Sequence, residues 1–237
     1  MHFNYFTHEF IMIKAILFDL DNTLIDFMTM KEAASKEAVK SMVDAGLKLD
    51  VDKALKKLFS FYEKHGIEDQ TVFDKFVKEV QGEQDYRILS EGIIAYRKIK
   101  AGYVNPYPHA VSTLIKLKEM GLVLGIISDA PRKQAWLRLA ESRLTFFFDF
   151  VIALEDTGKR KPHLMPFEKG LQKLNMKAGE ILFVGDNPAR DIKGAKNIGM
   201  KTALAKYGQV FPDKDVKADY ELNDLNDLVK VVEKENK

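Results

Sequence analysis

Lys14–Leu24 reads K-A-I-L-F-D-L-D-N-T-L. Ala15–Phe18 is a short apolar run of the kind that forms a strand buried on both faces. It stops in two aspartates, Asp19 and Asp21, one residue apart. On an extended chain that spacing sends both side chains the same way. Two like charges at the mouth of a buried strand repel each other, and a divalent cation offsets them through carboxylate oxygens. Aspartate and asparagine are equally at home in turns and helix N-caps, so the pair alone leaves both readings open.

Beyond Leu24 the strand pattern gives way to helical spacing. Lys31–Gly46 carries Ala34, Ala38, Met42 and Ala45 on one face and stops at Gly46. Asp50 can cap a second helix with Leu55, Leu58, Phe59 and Tyr62 inward. Asp69 can cap a third with Val72, Phe73, Phe76, Val77 and Val80 inward, and a fourth spans about Tyr86–Ala101. Amphipathic helices in a row with no strand between them predict a small helical bundle. Asn105–Pro108, with two prolines, reads as the linker out of it.

The remainder alternates. Helices are predicted over Pro108–Met120, Arg132–Arg143, Pro166–Leu174 and Asp191–Ile198, with a last one capped by Asn223 or Asp224 and running through Glu235. Between them lie strands at Leu122–Ile127, Phe150–Leu154, Ile181–Val184 and Lys201–Ala205. This alternation implies an α/β fold: a doubly wound parallel sheet, Rossmann-like, over residues 1–26 and 106–237. A helical domain over residues 27–105 interrupts it after the first strand.

A chain of 237 residues, 46% hydrophobic and 30% charged, describes a globular protein with a sizeable core. The formal charge of +2 gives no electrostatic footprint for nucleic acid or an anionic membrane. Without cysteine there is no disulfide framework, no thiolate metal site and no cysteine nucleophile. No apolar run reaches the length of a membrane span. Met1–Ile13 lacks the basic segment and small-residue cleavage site of a signal peptide, so a cytoplasmic protein is expected, with the first eleven residues as an extension of undefined role. A monomer or weak homo-oligomer is expected.

In this layout several strands end in polar residues at one sheet edge: Asp19 and Asp21, then Ser128-Asp129, then Asp186. The segment G-K-R-K-P adds Lys161, and Asp191 follows Asp186 into a helix. Taken singly, these are ordinary turn, cap or solvated loop residues. Taken together they deliver acids, a hydroxyl and an ammonium to the edge where open α/β sheets bind ligands.

D-L-D-N-T-L, I-I-S-D, K-P and G-D-N-P-A-R-D resemble the four motifs of the haloacid dehalogenase superfamily, most of whose members are phosphatases. The likeness runs from Lys14 to about Tyr207, and the inserted block resembles that family's helical cap. The resemblance implies a Mg²⁺-dependent phosphatase acting on a small phosphorylated metabolite through an aspartyl-phosphate. By it, Asp19 is the nucleophile and Asp21 the general acid/base. Ser128, with Asp129 beside it, and Lys161 match the phosphate-binding set. Asp186 matches a Mg²⁺ ligand together with Asp19 and the main-chain carbonyl of Asp21, and Asp191 an acid behind them that orients the site. The implied cap would close over the site and select the substrate, with Tyr62, Tyr86, Arg87, Tyr96 and Arg97 as candidate selectors.

The chemistry fits these roles. Mg²⁺ offsets the charge on the ester and on an attacking carboxylate, and covalent transfer splits hydrolysis into two easier steps. A haloacid dehalogenase is the alternative enzyme, but halide leaves without a proton and needs no second acid, so Asp21 and Asp186 together favour phosphate. A non-enzymatic phospho-acceptor domain is the other alternative; it has no use for a large helical insertion. Two departures from the family pattern stand out. The second proline of K-P-x-P is displaced to Pro166, and His109 occupies a position where glycine is usual.

Overall fold

The computed structural model describes residues 12–237. The extension at residues 1–11 lies outside them. The chain divides into two compact units, one formed by the residues up to Ile25 together with Pro106–Lys237, the other by Asp26–Asn105.

The first unit is built on β1 (Ala15–Phe18), β2 (Val123–Ile127), β3 (Phe150–Ile152), β4 (Ile181–Gly185), β5 (Lys201–Ala205) and β6 (Tyr220–Leu222). They form one parallel sheet in the order β3-β2-β1-β4-β5-β6. β1 lies at the centre, with Phe18 level with Ile126 of β2 on one side and Val184 of β4 on the other. The chain winds outward from β1 through β2 and β3, then returns to β4 and winds the opposite way. The topological switch therefore falls between β1 and β4, where such sheets open a crevice.

The flanking helices are α5 (Ala110–Glu119), α6 (Arg132–Glu141), α7 (Leu154–Thr157), α8 (Leu164–Leu174), α9 (Lys193–Asn197) and α10 (Asp227–Glu235). Every residue of β1 is buried. Ala15 and Leu17 join Ile127, Ile152, Phe183 and Phe167 of α8 in one core, where the Phe167 and Phe183 rings meet edge-on at 5.1 Å. Burial on both faces is why these strands read as continuous apolar runs.

Several boundaries differ from expectation. The helix expected from Pro108 begins at Ala110, because His109 adopts a left-handed φ of 62°. That conformation suits glycine, and here His109 is held by Asp224, with Nδ1 2.8 Å from Oδ2. The helix expected from Pro166 begins at Leu164, capped by the His163 side chain, so Pro166 sits inside its first turn. The last helix begins at Asp227. Asn223 and Asp224 do not cap it; their N–H groups donate to the Asp227 carboxylate.

The second unit holds α1 (Phe27–Asp44), α2 (Val51–His65), α3 (Val72–Gln81) and α4 (Tyr86–Tyr103). Asp50 and Asp85 cap α2 and α4 through their side chains. Asp69 does not cap α3 directly; its carboxylate accepts from the N–H and hydroxyl of Thr71, which occupies the cap position. α1 starts at Phe27 rather than Lys31, with Asp26 accepting from Thr29 N–H. Phe61, Phe73 and Phe76 fill the core, and the buried Lys31 sets its ammonium 3.9 Å from the Tyr62 ring centre. Tyr62 is thus interior to the bundle, and Arg87 donates to the Ala45 carbonyl at 2.5 Å. Tyr86 is 72% exposed. Among the described residues, no helix is long and apolar enough to cross a membrane.

Candidate active site

Asp19 follows β1 directly, and its N–H donates to the Val184 carbonyl at 2.8 Å, extending the β1–β4 ladder by one residue. The nucleophile candidate is therefore fixed by the sheet itself, beside Asp186, which follows β4 in the same way. Asp19, Asp186 and Asp191 are all buried, and each offers a carboxylate oxygen within 4.8 Å of the others.

Lys161 balances this charge. Its ammonium lies 2.7 Å from Asp19 Oδ1 and 2.7 Å from Asp191 Oδ1, with the side chain only 1% exposed. Burial disfavours its charge, but Asp19, Asp191 and Asp129 outweigh that and hold the ammonium above the usual lysine range. Lys161 and the nearby Arg190 guanidinium do not fully offset three buried carboxylates. Burial first, then Asp191 and Asp19, push the Asp186 carboxyl well above the ordinary range. Its Oδ2 is buried without a hydrogen-bond partner, while Oδ1 has only a long contact, 3.4 Å, from the Thr23 hydroxyl. An orphaned carboxylate oxygen inside an acidic cluster suits a hard divalent cation.

A π-helical turn, Pro188–Ile192, presents Asp191. Asp191 Oδ2 accepts from Asn187 N–H at 3.0 Å, and Asn187 Oδ1 accepts from Arg190 N–H at 3.1 Å, so the turn caps itself. Gly185 makes room for it: a Cβ there would lie 2.5 Å from Asp191 Cβ and 2.6 Å from Oδ2. Gly185→Ala should push Asp191 off Lys161 and lower kcat/KM about 100-fold with little change in secondary structure, measured by phosphate release and circular dichroism. A variant within about twofold of wild type would refute that placement.

The loop after β1 is clamped from elsewhere in the unit. Asn22 takes a left-handed φ of 59°, and its N–H donates to Ile25 O. The Tyr207 hydroxyl donates to the Thr23 carbonyl at 2.7 Å, and burial keeps that phenol protonated well above its ordinary range. Gly208 lies so close that a Cβ there would fall 1.7 Å from the Asn22 carbonyl oxygen, which only glycine permits.

Ser128 is buried after β2, and its hydroxyl accepts from Ala130 N–H at 3.1 Å, leaving the O–H to donate. The Asp129 carboxylate faces cations and donors of its own: Oδ1 accepts from Lys161 N–H at 2.9 Å, and Oδ2 lies 3.5 Å from the Arg190 guanidinium. That carboxylate ties the Lys161 loop to the end of β2. The Asp21 side chain is not part of the carboxylate cluster. Its Oδ2 accepts from Arg138 of α6 at 2.5 Å. Arg138, Arg190, Thr23 and Tyr207 were not legible as site residues. Arg138 alone left a signal, as an arginine between Ala135 and Leu139 on the inward face of its helix.

An acidic cluster with one embedded lysine, a hydroxyl and a carboxylate outside the cluster can bind a phosphoryl group, attack it and move a proton. Residues 16–205 match the family described as haloacid dehalogenase-like hydrolase. The chain is 42% identical over 222 residues to the glyceraldehyde 3-phosphate phosphatase of Methanocaldococcus jannaschii, covering 93% of this chain and 97% of that one. Among solved structures it resembles an HAD phosphatase from Thermococcus onnurineus, at 26% identity and a TM-score of 0.69, covering 95% of this chain and all of the other. The magnesium-bound HAD-hydrolase YfnB of Bacillus subtilis shares the fold at 23% identity and a TM-score of 0.69, covering 93% of this chain and 99% of that one.

Proposed function

The chain belongs to the haloacid dehalogenase-like hydrolases, and from that premise we propose that it is a Mg²⁺-dependent phosphatase of glyceraldehyde 3-phosphate, acting through a phosphorylated Asp19. Its reaction class is hydrolysis of phosphate esters. The observation that carries the assignment is the buried cluster of Asp19, Asp186 and Asp191 beside Lys161, with one Asp186 oxygen left unpartnered.

Asp19 and Asp186 would hold Mg²⁺ with the main-chain carbonyl of Asp21, and Asp191 orients Lys161 behind them. Bound there, the cation neutralises charge on the carboxylates and the phosphoryl oxygens. Lys161 and the Ser128 hydroxyl hold the phosphoryl group. An Asp19 oxygen attacks phosphorus as the ester P–O bond breaks, and Asp21 gives its proton to the departing alkoxide. Water then attacks the same phosphorus, the bond to Asp19 breaks, and Asp21 takes the proton back, releasing inorganic phosphate. The substrate assignment rests on the M. jannaschii relative, whose name carries glyceraldehyde 3-phosphate.

The test is phosphate release from a panel of small phosphate esters, with Mg²⁺ and with EDTA. Glyceraldehyde 3-phosphate should show the highest kcat/KM, with turnover lost in EDTA and restored by Mg²⁺. Turnover indifferent to chelation would overturn the metal assignment. Preference for another ester would overturn the substrate.

A further inference from the structure

Arg138 belongs to no motif that the assignment used, yet it bonds directly to the Asp21 carboxylate. It sits on the second turn of α6 between Ala135 and Leu139, both buried, and its own side chain is 4% exposed. Its NH1 donates to Asp21 Oδ2 at 2.5 Å. A buried ion pair is a poor source of stability, because well-packed apolar residues serve as well or better. A planar guanidinium against a carboxylate, by contrast, sets the orientation of the acid.

We infer that Arg138 is a positioning residue that fixes the Asp21 carboxyl for proton transfer to the leaving alcohol. This rests on the phosphatase assignment above. The contact at Oδ2 fixes the rotamer, and with it the place of Oδ1. α6 follows the β2 loop that carries Ser128, so the same strand end supplies the hydroxyl and orients the acid.

The consequence depends on the leaving group. A simple alkoxide cannot leave without a proton, whereas 4-nitrophenolate can. The value of kcat/KM reports the steps up to phosphorylation of Asp19, where that proton is needed. Wild type and Arg138→Met are therefore compared on glycerol 3-phosphate and 4-nitrophenyl phosphate with Mg²⁺. The substitution should lower kcat/KM for the alkyl ester about 100-fold and for the aryl ester less than about fivefold. Arg138→Lys, which keeps a cation on α6, should return part of the alkyl rate, and it carries the comparison if the methionine variant does not fold. Equal losses on both esters, or an unchanged alkyl rate, would overturn the inference. Wild-type turnover of both esters separates this from the assignment it rests on, and wild type that hydrolyses neither would overturn that assignment as well.

Discussion

Asp19→Asn is expected to lower kcat about 10,000-fold or more and to leave the fold intact. The loss follows from chemistry: an amide oxygen is too weak a nucleophile to displace an alkoxide from phosphorus. The intact fold follows from the packing. Asp19 makes its ladder contact through main-chain N–H, which the substitution keeps, and Lys161 retains Asp191 at 2.7 Å. Removing one of three crowded carboxylates also relieves repulsion on Asp186. Steady-state hydrolysis of 4-nitrophenyl phosphate beside a circular dichroism melt checks both halves. A folded variant within about tenfold of wild type would remove Asp19 from the chemistry.

Lys161→Met should have the largest effect on stability. The ammonium is the buried counter-charge of Asp19 and Asp191, and its side chain is 1% exposed. Breaking a buried pair by removing one partner leaves uncompensated charge, at about 3–5 kcal/mol. Asp19, Asp186 and Asp191 would then face one another without it. Denaturant unfolding without added metal should show that loss, and MgCl₂ should recover more stability in the variant than in wild type, since binding to the folded state alone adds stability by mass action. A loss below about 1 kcal/mol would mean the cluster does not depend on Lys161. Activity should fall with it, because the phosphoryl group loses a cation.

What could be read in advance follows from burial. β1, β2 and β4 are apolar throughout and end abruptly in Asp19, Ser128 and Asp186, so both strand and site were legible in one pattern. β6 was not. Tyr220–Leu222 lies at the sheet edge with only Leu222 buried, which leaves no run to recognise. The π-helical turn around Asp191 has the sequence pattern of ordinary helix, because its capping by the Asn187 side chain depends on geometry rather than composition. Arg138 lay hidden for another reason. Its partner Asp21 is 117 residues away, and no local spacing reports such a pairing. The clamp of Tyr207 and Gly208 on the loop at Asn22 and Thr23 is equally non-local. Local signals thus disclosed which acids and which hydroxyl stand at the strand ends, and tertiary contacts disclosed which residues hold them.

If the phosphoryl group passes through Asp19, it can be trapped there. Asp21→Asn should stall the reaction after the first step with an aryl ester, since 4-nitrophenolate leaves unprotonated while water goes unactivated. Acid quench and peptide mass mapping of that variant, mixed with 4-nitrophenyl phosphate and Mg²⁺, should find one phosphoryl group on the peptide carrying Asp19, matched by a burst of 4-nitrophenolate. A burst with Asp19 unmodified, or a phosphoryl group on any other side chain, would exclude Asp19 as the nucleophile.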